Sequence, residues 1–316
     1  MSRSSDPSMS RSSGRSSKMH ADEIDLDAPL VERLVSSQFP QWAGLPVERV
    51  PSSGTENAMF RLGDDLVVRL PRMARAVEAV VLEQRWLPEL APLLPVRVPE
   101  PVGAGAPGEG VPWGWAVYRW LEGSNPVVGS IPEPALLAKE LAEFVIALRR
   151  VEPHPEAPPN SRGVPLATRD EATRDAIEQL RMGPEDVDTD AISAVWEAAL
   201  ALPDPAPVTC WVHGDISPGN VLLRDGRLSA VIDFGTVGVG DPTVDLLPAW
   251  NLLPAEARPA YRSHLGADDA TWERGRAWAL SVALIQLPYY RVTNPALAAN
   301  SRHVIREVLE DQGLDR

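Results

Sequence analysis

Three residues with oxygen-bearing side chains stand at loop positions between apolar runs: Asp215 and Asn220 in "WVHGDISPGNVLL" (211–223), and Asp233 in "VIDFG" (231–235). Asn220 follows Asp215 by five positions, and Asp233 lies thirteen further on. Burying a carboxylate beside such runs costs on the order of several kcal/mol unless a partner compensates it. Two oxygen ligands on adjacent loops suit Mg²⁺, which takes hard oxygen donors, keeps part of its water and binds phosphates. A third carboxylate that stays off the metal can accept the proton of an attacking hydroxyl. Metal over the phosphates, a hydroxyl in line and neutralising charge are the parts that phosphoryl transfer needs. Asx side chains also cap loops, but the order and spacing of these three weigh against loop-capping alone.

Such residues need elements to position them. Apolar spacing behind acidic caps in "IDLDAPLVERLVSSQF" predicts a helix starting near Ile24. Three short antiparallel strands follow over Val47–Val50, Ala58–Leu62 and Leu66–Leu70, the last two joined at Gly63–Asp65. A helix over Ala74–Leu90 presents Val77, Val80, Val81 and Leu87 on one face, and Pro-rich "PVRVPEPVGAG" leads to an aromatic strand, "WGWAVYRWLEG", ending at Gly123. Beyond it the helical stretches are Glu133–Arg150, Ala167–Arg181, Asp190–Leu202, Pro254–Leu265 and Thr271–Tyr290, with two short strands around the motifs. "VEPHPEAPPNSRGVP" (151–165) reads as a mobile connection. The organisation is therefore α+β: residues 24–121 form a small β-rich lobe and hinge, and 122–316 a larger helical lobe, behind a disordered tail at 1–23.

"HGDISPGN…VIDFG…GDPTVDL" resembles the aminoglycoside phosphotransferase family, relatives of choline kinases and eukaryotic-like protein kinases. The resemblance implies a two-lobed, protein-kinase-like fold that binds ATP or GTP with Mg²⁺ in its cleft. It makes Asp215 the catalytic base, Asn220 and Asp233 the metal ligands, and His213 and Asp245 supports of the catalytic loop. "RLGDDLVVRLPR" resembles the nucleotide-binding strands, and "WAVYRWLEG" the hinge whose backbone at Arg119, Trp120 and Leu121 pairs with the base. The family's strand lysine is replaced by Arg69, which keeps its charge but is not interchangeable with Lys. Its carboxylate partner on the helix is Glu83 or Glu78. No G-x-G-x-x-G loop is present, so "SSGTEN" (52–57), with Ser53, must cover the phosphates.

The resemblance implies transfer of a γ-phosphate to a hydroxyl of an aminoglycoside- or macrolide-like acceptor, the chemistry of antibiotic resistance. The scaffold also serves choline, homoserine and sugar kinases, and Arg69 leaves room for a nucleotide-binding pseudokinase. Five residues between Gly235 and Asp241 leave no long activation loop for a protein kinase. The stretch Thr168–Asp204 carries ten acids against three Arg, either a solvated helix face or an acidic wall for a cationic acceptor. His213 either anchors backbone or takes part in the chemistry. A net charge of −14 argues against a nucleic-acid surface, and no apolar run reaches the roughly 18 residues of a membrane span. The single cysteine, Cys210, excludes an internal disulfide and fits a reducing cytoplasm.

Overall fold

Residues 24–51, 56–203 and 209–314 are described by the computed structural model. The tail at 1–23 and Ser53 lie outside them. The first layer is a five-stranded antiparallel sheet in the order β1-β2-β3-β5-β4. Its strands are β1 (Val47–Arg49), β2 (Asn57–Leu62), β3 (Leu66–Pro71), β4 (Pro101–Gly105) and β5 (Trp115–Arg119). Every residue of β3 is buried, because helices cover both sheet faces. Strand periodicity sorts its side chains. Leu66, Val68 and Leu70 join Trp115 and Val117 in an outer core against α1 (Ala28–Gln38), which Asp27 caps through the Leu30 amide. Val67 joins Ala116 and Tyr118 in an inner core with α2 (Val77–Leu90). Arg69 shares the parity of Val67 and points inward.

Three details depart from the sequence expectation. β4 forms from the Pro- and Gly-rich connector, and it needs its glycine: a Cβ on Gly105 would lie 2.0 Å from the Trp115 ring. The aromatic strand stops at Arg119 rather than Gly123: the Trp120 amide makes a last rung with β3, donating to Asp65 O at 2.8 Å in register with the Leu66–Arg119 pair, and the chain is irregular beyond it. On α2, Val81 is 57% exposed; the inward face is Val80, Glu83, Trp86, Leu87 and Leu90, a helical repeat centred on the carboxylate that meets Arg69.

The second lobe contains α3 (Pro134–Arg150), α4 (Asp170–Arg181), α5 (Thr189–Leu200), α6 (Pro248–Asn251), α7 (Arg258–Leu265), α8 (Asp269–Tyr290) and α9 (Pro295–Leu314). α9 was not anticipated; it packs on α8, and its Glu307 and Asp311 compensate the buried Arg258. The two expected strands are four: β6 (Cys210–Val212) pairs with β9 (Gly238–Gly240), and β7 (Val221–Arg224) with β8 (Arg227–Val231). The supposed mobile connection is zipped onto β9. Val239 N donates to Pro158 O at 2.8 Å, Asn160 N to Val239 O at 2.9 Å, and Asp241 N to Gly163 O at 2.9 Å. The inner core runs from the sheet into this lobe, where the Trp86 and Trp211 rings pack 5.2 Å apart, tilted by 60°.

Candidate active site

β6 delivers "HGD" to the cleft, and a buried carboxylate fixes it there. Asp245, fully buried, accepts from His213 N at 3.0 Å and Gly214 N at 2.8 Å. The His213 ring is also fully buried, and its Nδ1 accepts from Asp215 N at 3.2 Å. An amide can only donate, so the ring proton sits on Nε2, which faces Ile232 O at 3.1 Å. His213 thus ties the Asp215 loop to the strand leading into Asp233. Gly214 has no room for a side chain: a Cβ would sit 2.6 Å from Asn160 Nδ2, and its φ is +81°.

Asn220 ends a short 3₁₀ turn at Pro218–Asn220. Its Nδ2 donates to Asp215 O at 2.8 Å, and its carbonyl accepts from Ile232 N at 2.9 Å. The amide nitrogen being committed, Oδ1 is the atom left to serve as a ligand. Asp233 adopts φ +63°, an uncommon conformation for a non-glycine residue, and its side chain is 44% exposed. Burial acts to raise its pKa, but the Arg69 charge and hydrogen bonds from Arg69 and Gly235 outweigh it and hold the carboxyl below its usual value. One amide oxygen and one partly open carboxylate form a hard donor set that fits Mg²⁺ retaining water and phosphate ligands.

Glu83, not the exposed Glu78, faces Arg69. It is completely buried, and its oxygens hold four elements together. Oε1 accepts from Arg69 Nη1 at 2.6 Å and Phe234 N at 2.8 Å, and Oε2 from Tyr118 OH at 2.6 Å. Arg69 Nη2 donates to Asp233 Oδ1 at 3.0 Å. Desolvation opposes the Arg69 charge, yet Glu83 and Asp233 hold its pKa above the ordinary value. Arg69 Nε is buried without a partner. In the inter-lobe linker, the Arg119 amide donates to Glu100 O at 2.9 Å and the Trp120 amide to Asp65 O at 2.8 Å, so neither is open to a ligand.

Sequence reasoning missed three participants. Arg162 ion-pairs with Asp215 through Nη1, and Asp215 is the first cause of its raised pKa. Asn160, 1% exposed, braces the Arg162 turn. Asn125 in the linker donates through Nδ2 to Pro218 O at 3.2 Å, Gly219 O at 2.9 Å and Val221 O at 2.9 Å. No local pattern marks Arg162, which meets its partner across 53 residues. Half of the acidic stretch is ion-paired: Arg174 pairs with Asp170 and Glu197, Arg181 with Glu178 and Asp190, and Arg302 with Glu185, five of its ten acids shared among three arginines. Asp204 lies outside the described residues. Among the described residues no helix is long and apolar enough to cross a membrane.

A five-stranded sheet over a helical lobe, with two motif loops fastened at the cleft, is the two-lobed protein-kinase-like α+β fold. The profile of the phosphotransferase enzyme family, APH, matches residues 47–278, and the chain belongs to that family. An aminoglycoside 3'-phosphotransferase of Escherichia coli is 38% identical over 73 residues, 23% of this chain and 27% of that relative. The matched stretch thus spans about a quarter of the relative's length. The structure of the GDP complex of aminoglycoside 2'-phosphotransferase-IIIa superposes with TM-score 0.72 at 19% identity, covering 91% of this chain and 100% of the other. A macrolide 2'-phosphotransferase of Brachybacterium faecium gives TM-score 0.59 at 21% identity, covering 89% and 97%.

Proposed function

We propose that the protein is a small-molecule kinase that moves the γ-phosphate of ATP or GTP to a hydroxyl of an aminoglycoside- or macrolide-like acceptor. The observation that carries the reading is the fastening of the two loops. Asn220 holds the Asp215 carbonyl and accepts from Ile232, so base-type carboxylate, amide oxygen and Asp233 share one cleft floor. Asp215 is the base: it takes the acceptor hydroxyl's proton as that oxygen reaches phosphorus. Asn220 Oδ1 and Asp233 would hold Mg²⁺, which would supply positive charge to neutralise the phosphate oxygens. Arg69 and Glu83 set the position of Asp233 and join the nucleotide-side sheet to it. The Leu121 amide, next along from the two committed ones, is the donor we assign to the nucleotide base. Family membership and the neighbours' printed names support the acceptor class.

The test is nucleoside diphosphate release from ATP and GTP against a panel of aminoglycosides, macrolides, amino alcohols and sugars. Turnover with at least one acceptor, cut by about 10²–10⁴-fold in Asp215→Asn, is expected. The commitment of both Arg69 terminal nitrogens to carboxylates favours one second reading, a nucleotide-binding pseudokinase. Nucleotide binding without turnover across the panel would select it.

A further inference from the structure

The turn between α3 and α4 carries a guanidinium to the base and holds it rigidly. Asn160 Oδ1 accepts from Arg162 N at 2.8 Å and Gly163 N at 2.6 Å, and its Nδ2 donates to Thr236 O at 2.5 Å. From this brace the Arg162 side chain reaches Asp215 Oδ1 through Nη1, which also donates to Gly214 O at 3.2 Å. Its Nε and Nη2 have no protein acceptor among the described residues, and the side chain is 26% exposed. The Nε–Nη2 edge is therefore anchored from behind and open in front. That edge is the one with which a guanidinium grips an oxyanion bidentately.

Two further observations give the edge a task. Between His213 and Asn220 the loop contains no Lys or Arg. Arg69, the buried cation of β3, has both terminal nitrogens on Glu83 and Asp233. Phosphoryl transfer spreads negative charge over the equatorial oxygens of the moving group, and fixed positive charge there lowers the barrier. We propose that Arg162 clamps the γ-phosphoryl group beside Asp215, supplying from a distant turn the cation that the catalytic loop lacks. The inference rests on the kinase reading above. The acceptor oxygen bonds to the γ-phosphorus as the bond to the β–γ bridging oxygen breaks. The hydroxyl proton passes to Asp215, and the nucleoside diphosphate leaves with the electron pair. Arg162 Nη1 keeps Asp215 turned toward the hydroxyl, while Nε and Nη2 follow the phosphoryl oxygens. A carboxylate on the acceptor would present the same oxyanion chemistry to this edge, and the experiment separates the two sources.

Arg162→Gln and Arg162→Lys are compared with wild type by calorimetry, using the magnesium complexes of the diphosphates and of the β,γ-imido triphosphates. Basal nucleotide hydrolysis and melting temperature are read on the same samples. Arg162→Gln should bind the triphosphate analogue about ten- to a hundredfold more weakly, the loss of a charge-assisted contact, with the diphosphate unchanged. Its basal hydrolysis should fall by roughly 10²–10³, and Arg162→Lys should recover part of both. Equal losses for diphosphate and triphosphate overturn the clamp. Basal hydrolysis that rises overturns it too, since Arg162 would then be masking the base. So does unchanged triphosphate affinity with a raised KM for gluconate but not glucose, which assigns the edge to the acceptor. A wild-type protein that binds neither nucleotide, or an Asp215→Asn variant that hydrolyses normally, refutes the kinase reading itself.

Discussion

Replacing Glu83 tests whether the knot between sheet, helix and motif loop has the strength its geometry implies. The carboxylate is fully buried and accepts from three donors, Arg69 Nη1, Phe234 N and Tyr118 OH, all within 2.8 Å. Glu83→Ala leaves the Phe234 amide and the Tyr118 hydroxyl without partners and strips Arg69 of one of its two carboxylates. Breaking one side of a buried ion pair costs about 3–5 kcal/mol. Glu83→Gln is milder, because the amide oxygen can still accept from Arg69 and Phe234 while the new NH₂ donates to the Tyr118 oxygen. Only the charge-assisted part is lost, about 1.5–3 kcal/mol. Urea unfolding at pH 7, followed by tryptophan fluorescence, measures both. A double-mutant cycle with Arg69→Met should show coupling of about 0.5–3 kcal/mol. If Glu83→Gln is as stable as wild type and the cycle closes to zero, Glu83 is a spectator and the argument for a joined cleft fails.

Asp215→Asn should leave Mg-nucleotide affinity near wild type and cut turnover by about 10²–10⁴-fold; equal turnover with an identified acceptor removes Asp215 from the base role. Asp245→Ala strands the buried His213 and Gly214 amides, each costing about 1–3 kcal/mol, so the midpoint of urea unfolding should drop sharply. Asp233 has a depressed folded pKa, so its stabilisation is present above the unfolded carboxylate value of about 3.9 and lost as pH falls through the lower folded one. The stability gap between wild type and Asp233→Asn should accordingly narrow on acidification, and a constant gap contradicts the linkage. Burial pushes the Cys210 thiol up to about 11, against a smaller opposing pull from Arg149. This sole cysteine should resist iodoacetamide at pH 8 until the protein is unfolded, as mass spectrometry will report.

The catalytic loop was legible because its chemistry is local: Asp215, Asn220 and Asp233 stand within nineteen positions, and their order carries the meaning. Most of the longer helices were legible for a similar reason, since their apolar residues recur at helical spacing, whereas α6, four residues long, and α9 went unread. Glu83 could be narrowed only to a pair with Glu78, because the roll of a helix is set by what it packs against. β9 escaped notice because "GVG" has one side chain to pattern, and β4 because glycines chosen for the Trp115 ring look like a loop. Arg162 was invisible in a stretch whose prolines suggested mobility. Its position depends on backbone pairing with β9, which no side-chain sequence announces.

Asn125 has a mechanical consequence. One amide nitrogen reaches three carbonyls of the Pro218–Val221 turn, and a bridge between Ser124 and Leu223 lies beside it. The chain leaving the upper lobe is thereby riveted to the floor that carries the base. Any tilt of the sheet must be absorbed upstream, between the Trp120 amide held by Asp65 and the Ser124 amide held by Leu223. On the kinase reading, release of spent nucleotide would then call for movement of the roof rather than of the floor that Asn125 holds.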